Sequence, residues 1–440
     1  MPVLLSFAIP IVLTNVIQQL YSLVDMIVIG QFVGNVGTVG VSIGGEMSDL
    51  ATPVAMGFSM AGQIYIAQLF GAGRKETIKK TISTLLMLMT LISIGVMVVI
   101  IILNRQILGW LNCPQEAFSS AQSYLLITMA GLPFIFGYNA IVGILRGLGE
   151  SKRPLLFICI AAAINVVLDV VFVAAFHWDA AGTALATVFS QIGSFAAAAI
   201  FIYRSREHFD LEINRNFLKI DGEISKIIFK LAIPQVARSM LVRFSMLWVN
   251  ANLNAYGMII SGTNSVGNKI QKFMEVFVQG IDTACGAMIG QCLGARNFDR
   301  AKDVVWSTLK VCLIIAAACV AICWLVPAQA FRLFTTDQDV IQLGITYMHI
   351  ICIHFIMTAI TSTFQSMVTG CGYVELGFVL GILDGYVCRI GISLIFLNVF
   401  HADYLSYWWG TALARVLTGL LCYIYFMSGK WKTRSLLKES

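Results

Sequence analysis

The sequence predicts an all-α polytopic membrane protein, with twelve transmembrane helices arranged as two six-helix lobes related by a parallel internal repeat. Three observations carry this prediction. Of 440 residues, 58% are hydrophobic and only 12% charged, about half the charged fraction of an average soluble chain. The apolar residues run in long continuous segments rather than short alternating ones, which favours helices over barrel strands. Short motifs of the first half recur, in order, in the second. The 28 Phe, 13 Tyr and 8 Trp exclude a disordered chain. The net charge of +6 comes with no basic, aromatic-interleaved patch of the kind that binds nucleic acid.

A spanning helix needs about 20 apolar residues. Twelve segments qualify: 3–27, 40–70, 78–103, 118–145, 154–176, 181–203, 226–254, 262–292, 302–326, 339–368, 374–398 and 405–427. Turn chemistry separates them, as at Gly71-Ala72-Gly73, Asn112-Cys113-Pro114 and His177-Trp178-Asp179. The first segment has neither a basic flank nor a small-residue cleavage site and stays apolar past Leu20, so it reads as a helix and not a signal peptide. The long polar stretch 204–225 divides the chain into an N-lobe (1–203), a cytoplasmic linker (204–225) and a C-lobe (226–440) with a short cytoplasmic tail. The 11 Cys include no CxxC pair. Most sit in apolar runs as small hydrophobes, which argues against disulfides, a metal site or a catalytic thiol.

Lys and Arg concentrate in cytoplasmic loops. With the N-terminus inside, the inner loops hold 20 of the 29 basic residues. The outer connections hold Arg105 and Arg332, and Lys269 and Lys272 lie at a helix entrance. Both termini are therefore expected in the cytoplasm, at the inner or plasma membrane.

The duplication is explicit. Ala8-Ile9-Pro10 recurs as Ala232-Ile233-Pro234, and Gln68-Leu69-Phe70-Gly71-Ala72 as Gln291-Cys292-Leu293-Gly294-Ala295. Tyr124 matches Tyr347, and Gly147-Leu148-Gly149 matches Gly370-Cys371-Gly372. Gly182-Thr183-Ala184-Leu185-Ala186 recurs as Gly410-Thr411-Ala412-Leu413-Ala414. The offset stays at 223 or 224 residues and grows to 228 at the end. Six helices per half make the repeat parallel, a recurring transporter plan.

Several of these stretches resemble the multidrug and toxic compound extrusion (MATE) transporters. They are Leu5–Pro10 through Gln18–Asp25, Ala67–Gly73, Gly143–Pro154 and Asn165–Asp169. The resemblance covers essentially the whole chain and is closest to bacterial, DinF-like members. It implies a secondary active exporter that exchanges drug-like organic compounds for H⁺ or Na⁺ by alternating access, with no cofactor. Small drug-like molecules and the bilayer are its expected partners, with no nucleic acid, and a monomer is the expected functional form.

Each ionisable residue at the bilayer centre costs ~2.5–3.5 kcal/mol on the insertion scale, so each needs an explanation. Asp25 lies near the outer end of the first helix, with Gln18 two turns before it. Asn165 and Asp169 are four apart on the fifth helix and share a face. Asn139 and Arg146 lie seven apart on the fourth, and Thr183 and Thr187 four apart on the sixth. Carboxylates with amide and hydroxyl partners suit H⁺ or Na⁺. Taken singly, Asn139, Asn165 and Thr187 serve equally well as interhelical hydrogen-bonding groups. The resemblance implies a first-lobe cation site made of Asp25, Asn139, Asn165, Asp169 and Thr187, with Na⁺, if used, at Asp25 and Asp169. It also implies a functional bend at Pro10; independently, a proline inside a helix permits a static kink or marks a helix start.

The second half departs from this pattern. The repeat mates of Asp25 are Trp248 or Val249, beside Asn250. The interior of the tenth helix carries no acid and offers His349, His354, Ser362 and Gln365, which argues against a second-lobe cation site of the type found in other branches. Arg238, Arg243, Arg389 and Arg415 accompany Glu275, Asp282 and Asp384. These seven either pair within the lobe or snorkel from helix ends, or place one or two Arg, Arg243 among them, in an amphoteric substrate cavity. Gln18, Tyr21, Phe134 and Tyr138 are the expected cavity residues of the first lobe. A lipid-linked oligosaccharide flippase of the same superfamily is the alternative function. An embedded enzyme is not expected, because HExxH, GxSxG and paired inner Asp motifs are missing from the sequence.

Overall fold

A computed structural model of the chain describes residues 1–111, 113–205, 219–434 and 436. The side chains at 22–23, 25–27, 30–31, 34–36, 49 and 174 lie outside the described set. The side chain of Asp25 and most of the expected linker therefore fall outside it.

The described residues form helices and no strands. The first half contains α1 (Pro2–Phe32), α2 (Gly34–Gly71), α3 (Lys75–Ile102), α4 (Asn104–Trp110), α5 (Gln115–Ala130), α6 (Leu132–Gly147), α7 (Lys152–Asp169) and α8 (Asp179–Arg204). The second contains α9 (Gly222–Asn254), α10 (Met258–Gly294), α11 (Phe298–Leu325), α12 (Pro327–Arg332), α13 (Gln338–Gly370), α14 (Val374–Ile382), α15 (Gly391–Asn398) and α16 (Leu405–Met427). Among the described residues, ten helical stretches are long and apolar enough to cross a membrane, and eleven if the bent α5–α6 pair counts as one. By length α9 also suffices with 33 residues, but Arg238 and Arg243 in its middle lower its hydropathy. The fold is that of the all-α polytopic class. Outward-facing residues such as Val99 and Leu325 are exposed and apolar, as lipid contact requires.

Four features depart from twelve simple rods. The segment expected over 118–145 is two helices meeting at 44°. Gly131 closes α5 and Pro133 opens α6. Proline has no N–H for the preceding turn, and its ring crowds that turn's carbonyl, so the helix breaks there. The fifth helix of each half contains a π-helical stretch, Val170–Ala175 after α7 and Leu383–Ile390 between α14 and α15. Such insertions gather at functional sites. Short helices α4 and α12 follow the third long helix of each half. Finally, the tail turns back as a 3₁₀ helix, Lys430–Thr433, and buries Trp431.

The chain forms two compact units, Leu13–Ala232 and Met1–Val12 with Ile233–Ser440. One boundary falls inside α1, two residues after Pro10, and the other inside α9, just before Pro234. In the second unit, Leu4, Phe7, Ala8 and Ile11 join one core with Val249, Ile281 and Ala284. In the first unit, Ile224, Ile228 and Leu231 of α9 are buried, and Phe229 meets Phe58 edge-on at 5.3 Å. Asp221 caps α9 by accepting from the backbone N–H of Glu223 at 2.9 Å and Ile224 at 3.1 Å.

The repeat is visible in close packing within each unit. A Cβ on Gly147 would stand 2.8 Å from the Gln63 carbonyl oxygen, and one on Gly370 would stand 2.9 Å from that of Gly286. Both pairs are offset by 223 residues. Gly44 likewise packs on the Tyr124 ring and its mate Gly267 on the Tyr347 ring.

Candidate functional site

In the first-half unit, α7 buries Pro154, Phe157, Ile158 and Ala161 along one stripe, and Asn165 and Asp169 continue that stripe. Ala163, Val167 and Val170 face outward. The acid is thus turned inward by the same periodicity that places the apolar core. Asp169 is fully buried, Asn165 is 1% exposed, and the π stretch begins at the next residue. Among the described residues, neither polar atom of the Asn165 amide has a hydrogen-bond partner. That leaves both atoms available to a ligand, since buried polar groups are otherwise paired.

The neighbouring helices bring the other expected groups. α7 packs along α8, and α8 against α6. On α6, Asn139 Nδ2 donates to the Ile135 carbonyl at 2.8 Å, and the Asn139 carbonyl accepts from Ser59 Oγ at 2.6 Å. Its side-chain oxygen is the group it can offer a cation. Thr187 is half-buried on α8, where its carbonyl accepts from Ser190 Oγ at 2.7 Å. Tyr138 is 4% exposed and within electrostatic reach of Tyr21 and Arg146. Phe134 packs edge-on against Phe195 at 5.9 Å. Gln18 and Tyr21 are half-buried. Pro10 and Arg243 fall in the other unit, where Pro10 is buried and Arg243 half-buried.

The second-half unit holds a denser polar network than the sequence suggested. Asp384 Oδ1 accepts from Arg389 Nη2 at 2.9 Å, and Asp384 Oδ2 lies 3.9 Å from Arg415 Nε. Arg415 Nη1 also donates to Thr358 Oγ1 at 2.9 Å. Arg238 is held by the fields of Asp384 and Asp282. Of Arg238, Arg243, Arg389 and Arg415, the first and the last two thus meet carboxylates inside the unit. Sequence reasoning named His354 and Glu275 separately but did not join them. His354 Nε2 lies 2.5 Å from Glu275 Oε1, and Gln271 Nε2 donates to the same oxygen at 2.9 Å. The available signal was spacing. Gly267, Gln271 and Glu275 recur every four residues on α10, and Tyr347 and His354 lie seven apart on α13, so each set shares a helix face.

Two tandem copies of one helical plan, both with carboxylates inside apolar spans, are the plan of parallel-repeat transporters. The MatE family model matches residues 10–171 and again 234–395, and the chain belongs to that family. It is 25% identical over 439 residues to the probable multidrug resistance protein YoeA of Bacillus subtilis (strain 168), covering 98% of this chain and 94% of that protein. Against the multidrug export protein MepA of Staphylococcus aureus (strain MSSA476), identity is 22% over 387 residues, with 87% and 84% covered. Among solved structures, a crystal structure of MATE in complex with MaD3S superposes with a TM-score of 0.92 at 21% identity, covering 98% of this chain and 97% of that one. A MOP superfamily transporter from Pyrococcus furiosus, described as having a binding pocket of reverse polarity, superposes with a TM-score of 0.91 at 21% identity, covering 98% and 96%.

Proposed function

We propose that this chain exports drug-like organic compounds in exchange for H⁺ or Na⁺ by alternating access between its two lobes, as a monomer in the plasma membrane with both termini in the cytoplasm. The observation that carries this reading is the buried Asn165–Asp169 pair, set at the start of a π stretch in a MatE chain. Cation binding at Asp169 and Asp25, aided by Asn139, Asn165 and Thr187, repacks α1 beyond Pro10 and releases substrate outward. The cation then leaves to the cytoplasm as substrate reloads. Relatives named as multidrug resistance and export proteins support the substrate class. The test is transport in proteoliposomes with a pH gradient and a Na⁺ gradient imposed separately. Asp169→Asn is expected to abolish the response to whichever gradient drives the wild type; undiminished flux removes Asp169 from the mechanism.

The Arg set favours a second reading of the substrate. Arg415 keeps 18% side-chain exposure, and a similar fold carries a pocket described as reversed in polarity. On this reading the cavity is amphoteric and admits anionic or zwitterionic compounds. Arg243→Gln and Arg415→Gln are then expected to slow anionic test substrates more than cationic ones. Equal indifference of both classes overturns this reading.

A further inference from the structure

We propose that Glu275 and His354 form a proton-binding site in the second-half unit, distinct from the first-half carboxylates and selective for H⁺ over Na⁺. His354 is fully buried and Glu275 is 7% exposed. His354 Nδ1 lies 3.2 Å from the Thr411 carbonyl oxygen. A carbonyl only accepts, so Nδ1 carries a hydrogen and Nε2 is the nitrogen turned to the carboxylate. Nε2 stands 2.5 Å from Glu275 Oε1. Two bare acceptors do not rest at that separation, so one proton lies between them. Imidazolium with carboxylate and imidazole with carboxylic acid are the same charge state of this pair, so the site is one proton-binding unit.

Removing that proton leaves two acceptors face to face. Gln271 Nε2 stands beside both, 2.9 Å from Glu275 Oε1 and 3.1 Å from His354 Nε2. The two side chains then move apart. Because they join α10 to α13, proton occupancy decides whether the two helices are clasped at this level. The groups facing the pair are Arg415 from α16, whose field reaches Glu275, and Asp384, paired with Arg389, whose field reaches His354. On α13, Tyr347 donates to Gln271 Oε1 at 3.1 Å, and from α11 the Cys323 thiol approaches Tyr347. Asp282 lies two turns along α10, beside Arg238 and Ser366. A polar file continues toward the α9–α10 turn, where Asn264 and Asn268 both donate to Asn250 Oδ1, at 2.8 and 3.2 Å. Na⁺ requires several oxygen ligands, whereas here the carboxylate faces an imidazole nitrogen and an amide N–H.

The site stands on geometry alone; only its role in transport rests on the coupled-export reading. The experiment is a pH titration, between about pH 5 and 9, of the full chain labelled with ¹⁵N-histidine in nanodiscs, with His354 assigned by its loss in His354→Gln. The expected result is that Glu275→Gln moves the midpoint of the His354 resonance by at least about one pH unit, roughly tenfold in proton affinity. An unchanged midpoint overturns the site. In parallel, ethidium flux in proteoliposomes is compared for wild type and Glu275→Gln. The isosteric variant is expected to lose about tenfold under a pH gradient while flux under a Na⁺ gradient is spared. Equal loss under both gradients marks a structural contact and overturns the coupling role. If the wild type moves ethidium under neither gradient, the coupled-export reading fails, and the titration still judges the site.

Discussion

Asp384 and Arg389 face each other at 2.9 Å because the helix between them is π-wound. Residues five apart on an α-helix point about 140° away from each other. The i→i+5 winding of a π stretch brings them to one side. An ordinary α-helix over Leu383–Ile390 would leave both charges buried and apart. The irregular turn and the ion pair therefore sustain each other, and both lie in the helix equivalent to the one that carries Asp169.

Removing one partner of this pair is expected to be costly. Asp384→Asn leaves Arg389, fully buried, without its counter-ion, at about 3–5 kcal/mol. The double change Asp384→Leu with Arg389→Met is expected to recover the part owed to Arg389, while Arg238 and Arg415 still lose the field of Asp384. Thermal unfolding of the purified protein in detergent checks both, and a double variant as unstable as the single one counts against the ion pair as the cause.

In the first half, Asp169→Asn is expected to abolish cation-driven flux, and Asn165→Ala to reduce it by roughly 10–100-fold, the worth of a charged hydrogen bond of about 1.5–3 kcal/mol. Thermal stability of Asn165→Ala should stay near wild type, because the Asn165 amide has no hydrogen-bond partner to lose among the described residues. Proteoliposome flux and melting temperature measured on the same preparations separate the two effects.

Gly147→Ala and Gly370→Ala should behave as twins. Each new Cβ would stand under 3.0 Å from a carbonyl oxygen of the neighbouring helix, so each is expected to cost about 1–3 kcal/mol by overpacking. Alanine at Gly95, where nothing lies within 4 Å, is the control. Melting temperatures of the three variants check the comparison.

The tail offers a fourth test. Trp431 is 1% exposed and donates from Nε1 to the Phe426 carbonyl at 2.9 Å. Arg434 lies 3.4 Å from the centre of the Tyr373 ring. Trp431→Ala is expected to free this segment, so trypsin should cut after Lys430 and Lys432 within minutes while the wild type resists. Digestion of the intact protein followed by mass spectrometry reads the outcome.

Much of the fold was legible because apolar run length and repeated motifs report directly on spanning helices. The last span, 405–427, matches α16 residue for residue. The two π stretches were not legible, since one inserted residue leaves hydropathy unchanged. Pro133 lies in a segment that is apolar on both sides, so run length concealed the bend. For the site, α-helical spacing turned Asn165 and Asp169 to one face. The Glu275–His354 contact joins helices 79 residues apart in sequence, and no local pattern encodes such a meeting.

The placement of the two unit boundaries bears on how such a chain is made. Leu4, Phe7 and Ile11 leave the ribosome well ahead of the core that receives them, which includes Val249 and Ile281, synthesised more than two hundred residues later. Ile224 and Leu231 in turn complete a core begun in the first half. Each half thus lends its opening turns to the other, and neither finishes its own interior alone.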